Sequence, residues 1–305
     1  MSEIFKTTST EEWQRLRARD ITSTESAALF GLSPYVTPFE LWHRKRAGEI
    51  VELEPNERMK WGTRLQDPIA AGIAEDQGWK IQRRAQYERL PDRRLGASFD
   101  FTILGGDGGD GLLEVKNVDP LVLRDEWVVD DDEVEAPPHI EMQVQHQLMV
   151  SGLRYAYIGA LVGGNRAFLI RREPAAEIHE SILARAGDFW RSVDAGNPPK
   201  PDFSRDADFI ARLYRDVRPG RVIDVSGDAE VAELVAGYRQ HKAAIDEHEA
   251  GRKEIKARLL TKIGDAEKAL GKGFSISVGA VKSTRVEAYD RAGYRDFRVT
   301  VKKSK

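Results

Sequence analysis

The stretch RLGASFDFTILGGDGGDGLLEVK, residues 94–116, decides which fold class the chain adopts. Residues 94–104 alternate in polarity, which is typical of a half-buried β-strand. The glycine-rich segment 105–111 predicts a turn with positive φ angles, and residues 112–116 predict the strand that follows it. The side chains expected on one side of the first strand are Ser98, Asp100 and Thr102, and those expected on the other side are Phe99, Phe101 and Ile103.

The predicted hairpin brings together side chains that suit phosphodiester hydrolysis. Adjacent antiparallel strands set Asp100 close to Glu114, and Lys116, two residues further on, shares the face of Glu114. Hydrolysis needs Mg²⁺ held by hard oxygen ligands, an activated water and stabilisation of the phosphate charge. Asp100, Glu114 and the Val115 carbonyl can bind the metal, with Mn²⁺ as a substitute, while Lys116 can orient or deprotonate the water. The alternative is the solvated face of an ordinary hairpin, because Glu-x-Lys is a common pattern.

Helices and further strands are expected around this hairpin. Helical starts, spacing and stops predict helices from Ser9, over 22–31, from Thr37 and over 59–78, 139–152 and 181–195. Residues 228–262 predict one long helix or a helical pair. Residues 155–162 and 167–171 predict paired strands, and 273–302 alternate like a small β-ribbon. Residues 119–138 are acidic and end in two prolines, which predicts an exposed loop. We expect an α/β domain over 1–205, followed by a charged helical and β-ribbon extension over 206–305.

Composition narrows the classes of protein that remain. The 305 residues are 41% hydrophobic and 32% charged, with a net charge of -3, so a core can form and nucleic acid is neither favoured nor excluded. The absence of cysteine excludes disulfides, thiolate chemistry and cysteine zinc sites, and fits a reducing cytoplasm. We expect no signal peptide and no membrane contact, because no apolar run approaches about 18 residues.

Five motifs, taken together, resemble the YqaJ-type viral recombinase family, whose relatives include phage lambda exonuclease. They are WQRLRARDITSTESAALFG (13–31), MKWGTRLQDPIA (59–70), ASFDF (97–101), LLEVK (112–116) and HIEMQVQHQLMVSG (139–152). Their order and spacing match over roughly residues 10–195. The resemblance implies a PD-(D/E)xK, restriction-endonuclease-like core in which a central mixed sheet is flanked by helices.

The resemblance also implies roles for individual residues. Asp100 and Glu114 match metal ligands, Lys116 matches the catalytic lysine, and Gln143 matches an active-site position. Gln147, four residues after Gln143, shares its helix face and can approach the strands with it. On residue type alone, both glutamines can equally be surface amides.

Three further residues match the positions that bind the 5′-phosphate of a DNA end in lambda-type enzymes. They are Arg17, Thr24 and Ser98, and a guanidinium with two hydroxyls is a suitable set of phosphate donors. The alternative for Arg17 is a solvated helix face. Four tryptophans can stack against bases at a DNA end, although core packing is favoured for most of them: Trp42, Trp61, Trp79 and Trp127.

One position departs from the family pattern. Gln66 stands where a glutamate that helps to organise the metal site is usual, and a neutral amide is a poorer Mg²⁺ ligand. Three explanations are open: an engineered inactive variant, a natural variant in which Asp67 partly compensates, or a naturally weakened enzyme. Asp67 is about 100° around the helix from Gln66, so compensation needs a local shift.

The implied activity is Mg²⁺-dependent 5′-to-3′ digestion of linear double-stranded DNA from its ends, which leaves 3′ single-stranded tails. The implied assembly is a homotrimer, and the implied partner is the single-strand annealing protein of a phage recombination system in a bacterial host cytoplasm. The alternatives are a structure-specific or restriction-type endonuclease, and a non-catalytic protein that binds DNA ends.

Overall fold

The computed structural model describes residues 2–6, 9–48, 56–106, 108–130, 133–280, 282 and 299. The α-helices are α1 (Thr10–Arg19), α2 (Pro38–Ala47), α3 (Glu57–Gln77), α4 (Pro120–Glu126), α5 (Pro138–Ser151), α6 (Ala176–Ala195), α7 (Ala207–Leu213) and α8 (Ala229–Ile263), and 3-10 helices cover Ser26–Phe30 and Pro91–Arg93. The strands are β1 (Glu3–Phe5), β2 (Ile21–Thr22), β3 (Lys80–Arg83), β4 (Tyr87–Leu90), β5 (Leu95–Ser98), β6 (Phe101–Gly106), β7 (Gly109–Val118), β8 (Val128–Asp130), β9 (Glu133–Glu135), β10 (Ala156–Val162), β11 (Arg166–Arg172), β12 (Lys268–Gly271) and β13 (Phe274–Ser277).

The central sheet is mixed. Its five strands run in the order β11-β10-β7-β6-β3, and only the β10–β7 pairing is parallel. A parallel pair needs a crossover, which α5 supplies between β7 and β10. A second sheet has the order β1-β4-β5-β2. The predicted α/β class, with a mixed sheet flanked by helices, is therefore confirmed.

Helices cover both faces of the central sheet. Ile69 and Ile73 of α3 pack with Leu113 and Val115 on one face, while Val144 of α5 belongs to the core on the other face. Alternation along β7 predicts this arrangement, because a strand buried on both faces places successive side chains in opposite cores. Glu114 and Lys116 consequently lie on the α5 side.

The predicted starts and stops of several helices are confirmed. The Ser9 hydroxyl caps α1 by accepting from the Glu12 N–H, and Thr37 caps α2 in the same way through the Glu40 N–H. α5 ends at Gly152, whose φ of 69° suits the left-handed cap. The segment predicted as a helix over 22–31 contains a single 3-10 helix, Ser26–Phe30.

The prediction of one continuous strand over 94–104 is wrong. β5 ends at Ser98 in the second sheet and β6 begins at Phe101 in the central sheet, so the chain changes sheets at Phe99 and Asp100. The bend also separates two side chains that were expected on the same side of one strand. Phe99 is buried in the α5-side core, whereas Phe101 is buried in the α3-side core. Simple alternation failed here because it assumes an unbroken pleat.

Most described residues of 119–138 are exposed as predicted, but the interpretation of the segment as a loop is wrong. The segment contains α4 and the β8–β9 hairpin, and Trp127 is buried. The acidic residues misled the prediction, since Asp119 acts as the N-cap of α4. At the C-terminal end, the described ribbon pairs β12 with β13. The rest of the ribbon predicted over 273–302 lies largely outside the described residues.

Contacts divide the chain into two compact units, Met1–Ile210 and Ala211–Lys305. The first unit contains both large sheets, and the second contains α8 and the β12–β13 ribbon. Within the described residues, no helix is both long and apolar enough to cross a membrane.

Candidate active site

The bend between β5 and β6 delivers Asp100 to the start of the central hairpin. Its Oδ2 accepts a hydrogen bond from the Val115 N–H at 2.8 Å, and its Oδ1 accepts one from Gln66 Nε2 on α3. The neighbouring strand β7 carries Glu114 beside it. The predicted juxtaposition of Asp100 with Glu114-Val115-Lys116 is therefore present, but it arises at a bend between two sheets.

Glu114 is the centre of a buried polar network. It is 5% exposed, and its Oε1 accepts from Gln143 Nε2 at 2.6 Å and from Lys116 Nζ at 2.7 Å. Its Oε2 accepts from Gln147 Nε2 at 2.8 Å. Lys116 Nζ also donates to Gln143 Oε1 at 3.0 Å. A buried carboxylate needs such partners, because an unpaired buried charge is strongly unfavourable.

The two glutamines of α5 lie on the face expected for them. Gln143 and Gln147 are buried and both contact Glu114, so the surface-amide alternative is wrong. Gln147 Nε2 also donates to the Ser98 carbonyl at 3.0 Å, whereas its Oε1 is buried with no partner in the described part of the chain. A buried acceptor left in this way marks a place that a water or ligand donor can fill.

Gln66 is held between Asp100 and Arg83. Arg83 donates from both terminal nitrogens to Gln66 Oε1, at 3.3 Å each, and from Nη2 to Asp67 Oδ1 at 2.6 Å. Arginine has only donors, so it requires the oxygen of the amide, and the amide nitrogen then faces Asp100. Asp67 contacts Arg83 on the exposed side, which argues against its compensating for the missing glutamate.

The buried surroundings of Asp100 and Lys116 shift the pKa of both side chains. Burial and the Glu114 charge raise the pKa of Asp100 to about 7, although Lys116 and the Val115 N–H act in the opposite direction. Burial lowers the pKa of Lys116, but the Glu114 carboxylate outweighs it by charge and hydrogen bond, so the pKa of Lys116 rises above its usual value.

The donor set fits a hard divalent cation. Asp100 and Glu114 supply carboxylate oxygens, and the Val115 carbonyl is the further oxygen that the sequence predicts. Among the residues that the structure describes, no three His, Cys, Asp or Glu side chains form a metal-ligand group, and the side chain that contacts Asp100 from α3 is the amide of Gln66. Two carboxylates suit Mg²⁺, which binds few protein ligands and keeps several waters.

The three residues predicted for the 5′-phosphate lie around one tryptophan. Arg17 Nη2 donates to Thr24 Oγ1 at 3.3 Å, and the Arg17 guanidinium stacks on the Trp13 ring at 4.4 Å. Trp13 Nε1 donates to Ser98 Oγ at 2.9 Å. Arg17 is half-buried in this cluster, so the alternative of a solvated helix face is wrong.

A buried ion pair between Lys45 and Glu25 contacts this cluster through the backbone carbonyl of Arg17. Lys45 Nζ lies 2.8 Å from Glu25 Oε2 and donates to the Arg17 carbonyl at 2.8 Å. Glu25 also accepts from the N–H and the hydroxyl of Thr22. Burial raises the pKa of Glu25, but the charges of Lys45 and Arg17 outweigh it and the pKa is lowered.

Sequence reasoning missed Arg83, Trp13 and Lys45 as members of the site. Trp13 and Arg17 are four residues apart on α1, so helical spacing alone pairs them. Arg83 and Lys45 gave no such signal, because each reaches its partner across the fold.

Comparison with known proteins agrees with the motifs. Residues 12–154 match the model of the YqaJ-like viral recombinase domain. Over 284 residues, the chain is 28% identical to the uncharacterized protein YqaJ of Bacillus subtilis (strain 168), a match that covers 92% of this chain and 86% of that one.

Two solved structures were also compared with the chain. The alkaline exonuclease LHK-Exo from Laribacter hongkongensis has a TM-score of 0.48 and 18% identity, and LHK-Exo in complex with dAMP has a TM-score of 0.45 and 19% identity. Each match covers 67% of this chain and 100% of the other. The domain match is to the same family that the five motifs predict: residues 12–154 match the YqaJ-like viral recombinase domain.

Proposed function

We propose that the chain is a divalent-metal-dependent DNA exonuclease that digests linear duplex DNA from the 5′ end and leaves a 3′ single-stranded tail. The match of residues 12–154 to the YqaJ-like viral recombinase domain supports a DNA nuclease in general. The observation that carries the proposal is that Asp100, held by the Val115 N–H, lies beside the hydrogen-bonded group of Glu114, Lys116 and Gln143. A structural protein has no need of two adjacent carboxylates with a lysine and buried amides.

Each residue has a separate task in this proposal. Asp100, Glu114 and the Val115 carbonyl would hold the cation, which supplies charge stabilisation and an acidified water. Lys116 donates to the attacking water or to a phosphate oxygen, and so orients the nucleophile and offsets negative charge. Gln143 fixes both Glu114 and Lys116 through its amide, so that neither has to reorient during hydrolysis.

The 5′ polarity rests on the cluster around Trp13. Arg17, Thr24 and Ser98 offer a guanidinium and two hydroxyls, which suit a terminal phosphate. Ser98 is two residues from Asp100, so a phosphate bound there would put the scissile bond near the metal ligands. The geometry therefore supports cutting from a 5′-phosphorylated end.

Digestion of linear and closed circular duplex DNA in Mg²⁺ tests the activity, with the chain and its Gln66→Glu variant side by side. We expect nucleotides to be released from linear 5′-phosphorylated DNA, more rapidly by the variant, and no cutting of the circle. Cutting of closed circles would favour an endonuclease. No cutting of either substrate by either protein, in Mg²⁺ or Mn²⁺, would refute the nuclease proposal.

The second candidate is a protein that binds DNA ends without cutting them. The observation that favours it is Gln66, whose oxygen is directed towards Arg83 and whose nitrogen is directed towards Asp100. Binding of 5′-phosphorylated ends by the parent chain, with cleavage only in the Gln66→Glu variant, would identify this chain as a disabled exonuclease.

Assembly and partners are part of the same proposal. The family resemblance supports a homotrimer that encircles DNA and a single-strand annealing protein that receives the 3′ tail. Light scattering on the purified chain tests the trimer, and co-purification with the annealing protein of the same recombination system tests the partner.

A further inference from the structure

An aromatic pocket lies on the sheet face opposite Glu114, and the candidate active site does not use it. A cavity of about 240 Å³ is lined by Trp79, Gly106, Tyr155, Tyr157 and Arg171. Tyr157 pairs in register with Leu113, whose side chain packs on the α3 side, whereas Glu114 points to the α5 side. This pocket is therefore separate from the metal ligands.

The Tyr155 ring of the pocket is held in a fixed position. Tyr155 is 4% exposed and its hydroxyl donates to the Gly109 carbonyl at 3.2 Å. A Cβ on Gly111 would lie 2.1 Å from a Tyr155 ring carbon, and one on Gly106 would lie 2.3 Å from its hydroxyl. The two glycines thus let the ring lie flat against the hairpin, and side chains there would displace it.

Two further rings form the wall and remain accessible. Trp79 and Tyr157 are half-buried, with ring centroids 4.7 Å apart, and Tyr157 meets Tyr155 edge-on at 5.9 Å. The rings are too close to each other to admit a base between them, so a planar ligand must stack on their open faces. Three packed rings also hold one another in place, which reduces the entropy lost on binding.

The Arg171 side chain places a positive charge at the edge of the pocket. The Arg171 guanidinium lies over Tyr155, 5.5 Å from the ring centroid, and pairs with Glu173 at 3.1 Å. The side chains of Arg171 and Glu173 are 49% and 64% exposed, and such a solvated pair contributes little, so Arg171 can exchange Glu173 for an anionic ligand. Aromatic faces beside an arginine suit a base joined to a phosphate.

We propose that this pocket binds a nucleotide of single-stranded DNA, with the base stacked on Trp79 and Tyr157 and the phosphate paired with Arg171. Bases in a duplex are stacked on each other and cannot reach such a surface, which selects a single strand. The choice of DNA as the ligand rests on the proposed function, whose reaction leaves a single-stranded tail. The pocket holds that tail away from the metal ligands.

Fluorine NMR on the full chain labelled with 5-fluorotryptophan tests the pocket directly, in EDTA so that nothing is cut. The six tryptophans give separate probes, and Trp79→Phe assigns the signal of interest. Addition of oligothymidine should shift the Trp79 signal and leave that of the buried Trp190 in place. If oligothymidine saturates the protein and the Trp79 signal does not change, the proposal is overturned. A shift of the Trp79 signal that is equally large with blunt duplex DNA, or that occurs only with a partner peptide, would also overturn it.

Fluorescence anisotropy measures the affinity of oligothymidine for the parent and for matched variants of the pocket residues. Tyr157→Leu should weaken oligothymidine binding about tenfold, while Tyr157→Phe, which keeps the ring, should stay within about twofold of the parent. Arg171→Gln should weaken binding and reduce the salt slope by about one, unlike Arg191→Gln on α6. Equal losses in the leucine and phenylalanine variants, or no loss in Arg171→Gln, would contradict the pocket.

The outcome separates the two proposals. Binding of oligothymidine at Trp79, with no cutting of DNA by either the parent or the Gln66→Glu variant, would support the pocket and contradict the nuclease. Cutting of DNA with no involvement of Trp79 would support the nuclease and overturn the pocket.

Discussion

Arg83 determines which end of the Gln66 amide faces the carboxylates. Both terminal nitrogens of the guanidinium donate to Gln66 Oε1 at 3.3 Å, so the amide nitrogen is left to donate to Asp100. An amide nitrogen cannot bind a cation, and reversing the amide would set its N–H groups against the arginine. Gln66 is therefore an unsuitable metal ligand for a reason beyond its missing charge.

The first prediction concerns Gln66→Glu. A carboxylate there would turn an oxygen towards the cation whichever way it rotates, so we expect Mn²⁺ to bind at least about tenfold more tightly. Isothermal titration calorimetry without DNA measures this. Asp67→Asn is the matched control, because Asp67 faces Arg83 and should change the affinity little. A loss of affinity in Asp67→Asn as large as the gain in Gln66→Glu would show that only net charge matters.

Lys116→Ala, made in the more active of the parent and Gln66→Glu backgrounds, should lower the rate of cleavage by about 100-fold or more. DNA binding in EDTA and the far-UV circular dichroism spectrum should be unchanged, since Glu114 keeps its bonds from Gln143 and Gln147. A cleavage rate close to that of the background protein would remove Lys116 from the mechanism.

Arg17→Gln should reduce the preference for 5′-phosphorylated over unphosphorylated ends by about tenfold or more, because a hydrogen bond to a charged group contributes about 1.5–3 kcal/mol. Competition between the two kinds of end in a single binding assay measures it. Arg15→Gln is the control, since Arg15 lies on the same helix but is 66% exposed and pairs with Glu11. A parent that binds both ends alike would contradict the phosphate pocket.

The fourth prediction concerns His146, which is 0% exposed, with its Nδ1 against the Ser26 hydroxyl. Burial lowers its pKa to about 3, although the charge of Glu25 acts in the opposite direction. In the unfolded chain the histidine takes up a proton below about pH 6.5, whereas in the folded chain it stays neutral until about pH 3. The stability it contributes is therefore complete above pH 6.5 and is lost as the pH falls towards 3.

This loss is measurable by urea unfolding. Between pH 6.5 and 5 the free energy of unfolding should fall by up to about 2 kcal/mol because of this histidine. His146→Gln should remove that part of the slope, whereas His241→Gln, at an exposed position on α8, should not. An unchanged slope in His146→Gln would show that other groups cause the acid sensitivity.

The sequence predicted the components of the site more accurately than the path between them. Asp100, Glu114 and Lys116 could be grouped because a hairpin turns strand alternation into proximity, and β6 and β7 do form that hairpin. The bend at Phe99 could not be predicted, because each half of residues 94–104 alternates normally. Only the second sheet, which pairs β5 with β4, shows where the strand must end.

Long-range contacts limited the prediction of the 5′-phosphate cluster in the same way. Helical spacing links Trp13 to Arg17, but the hydrogen bond from Trp13 to Ser98 spans 85 residues, and the salt bridge from Lys45 to Glu25 depends on how α2 packs. Local patterns carry no information on such pairings, whereas the motifs of a known family do, because their spacing reflects a shared fold.

The change of sheet at Phe99 and Asp100 has a consequence for how this protein can evolve. Ser98, at the end of β5, accepts a hydrogen bond from Trp13, and Asp100, directly before β6, accepts one from the Val115 N–H beside Glu114. Only one residue separates them, so an insertion or a deletion there would directly change the distance between Ser98 and Asp100. Under the proposed function, a change of one residue in this segment would therefore alter end binding and cleavage together.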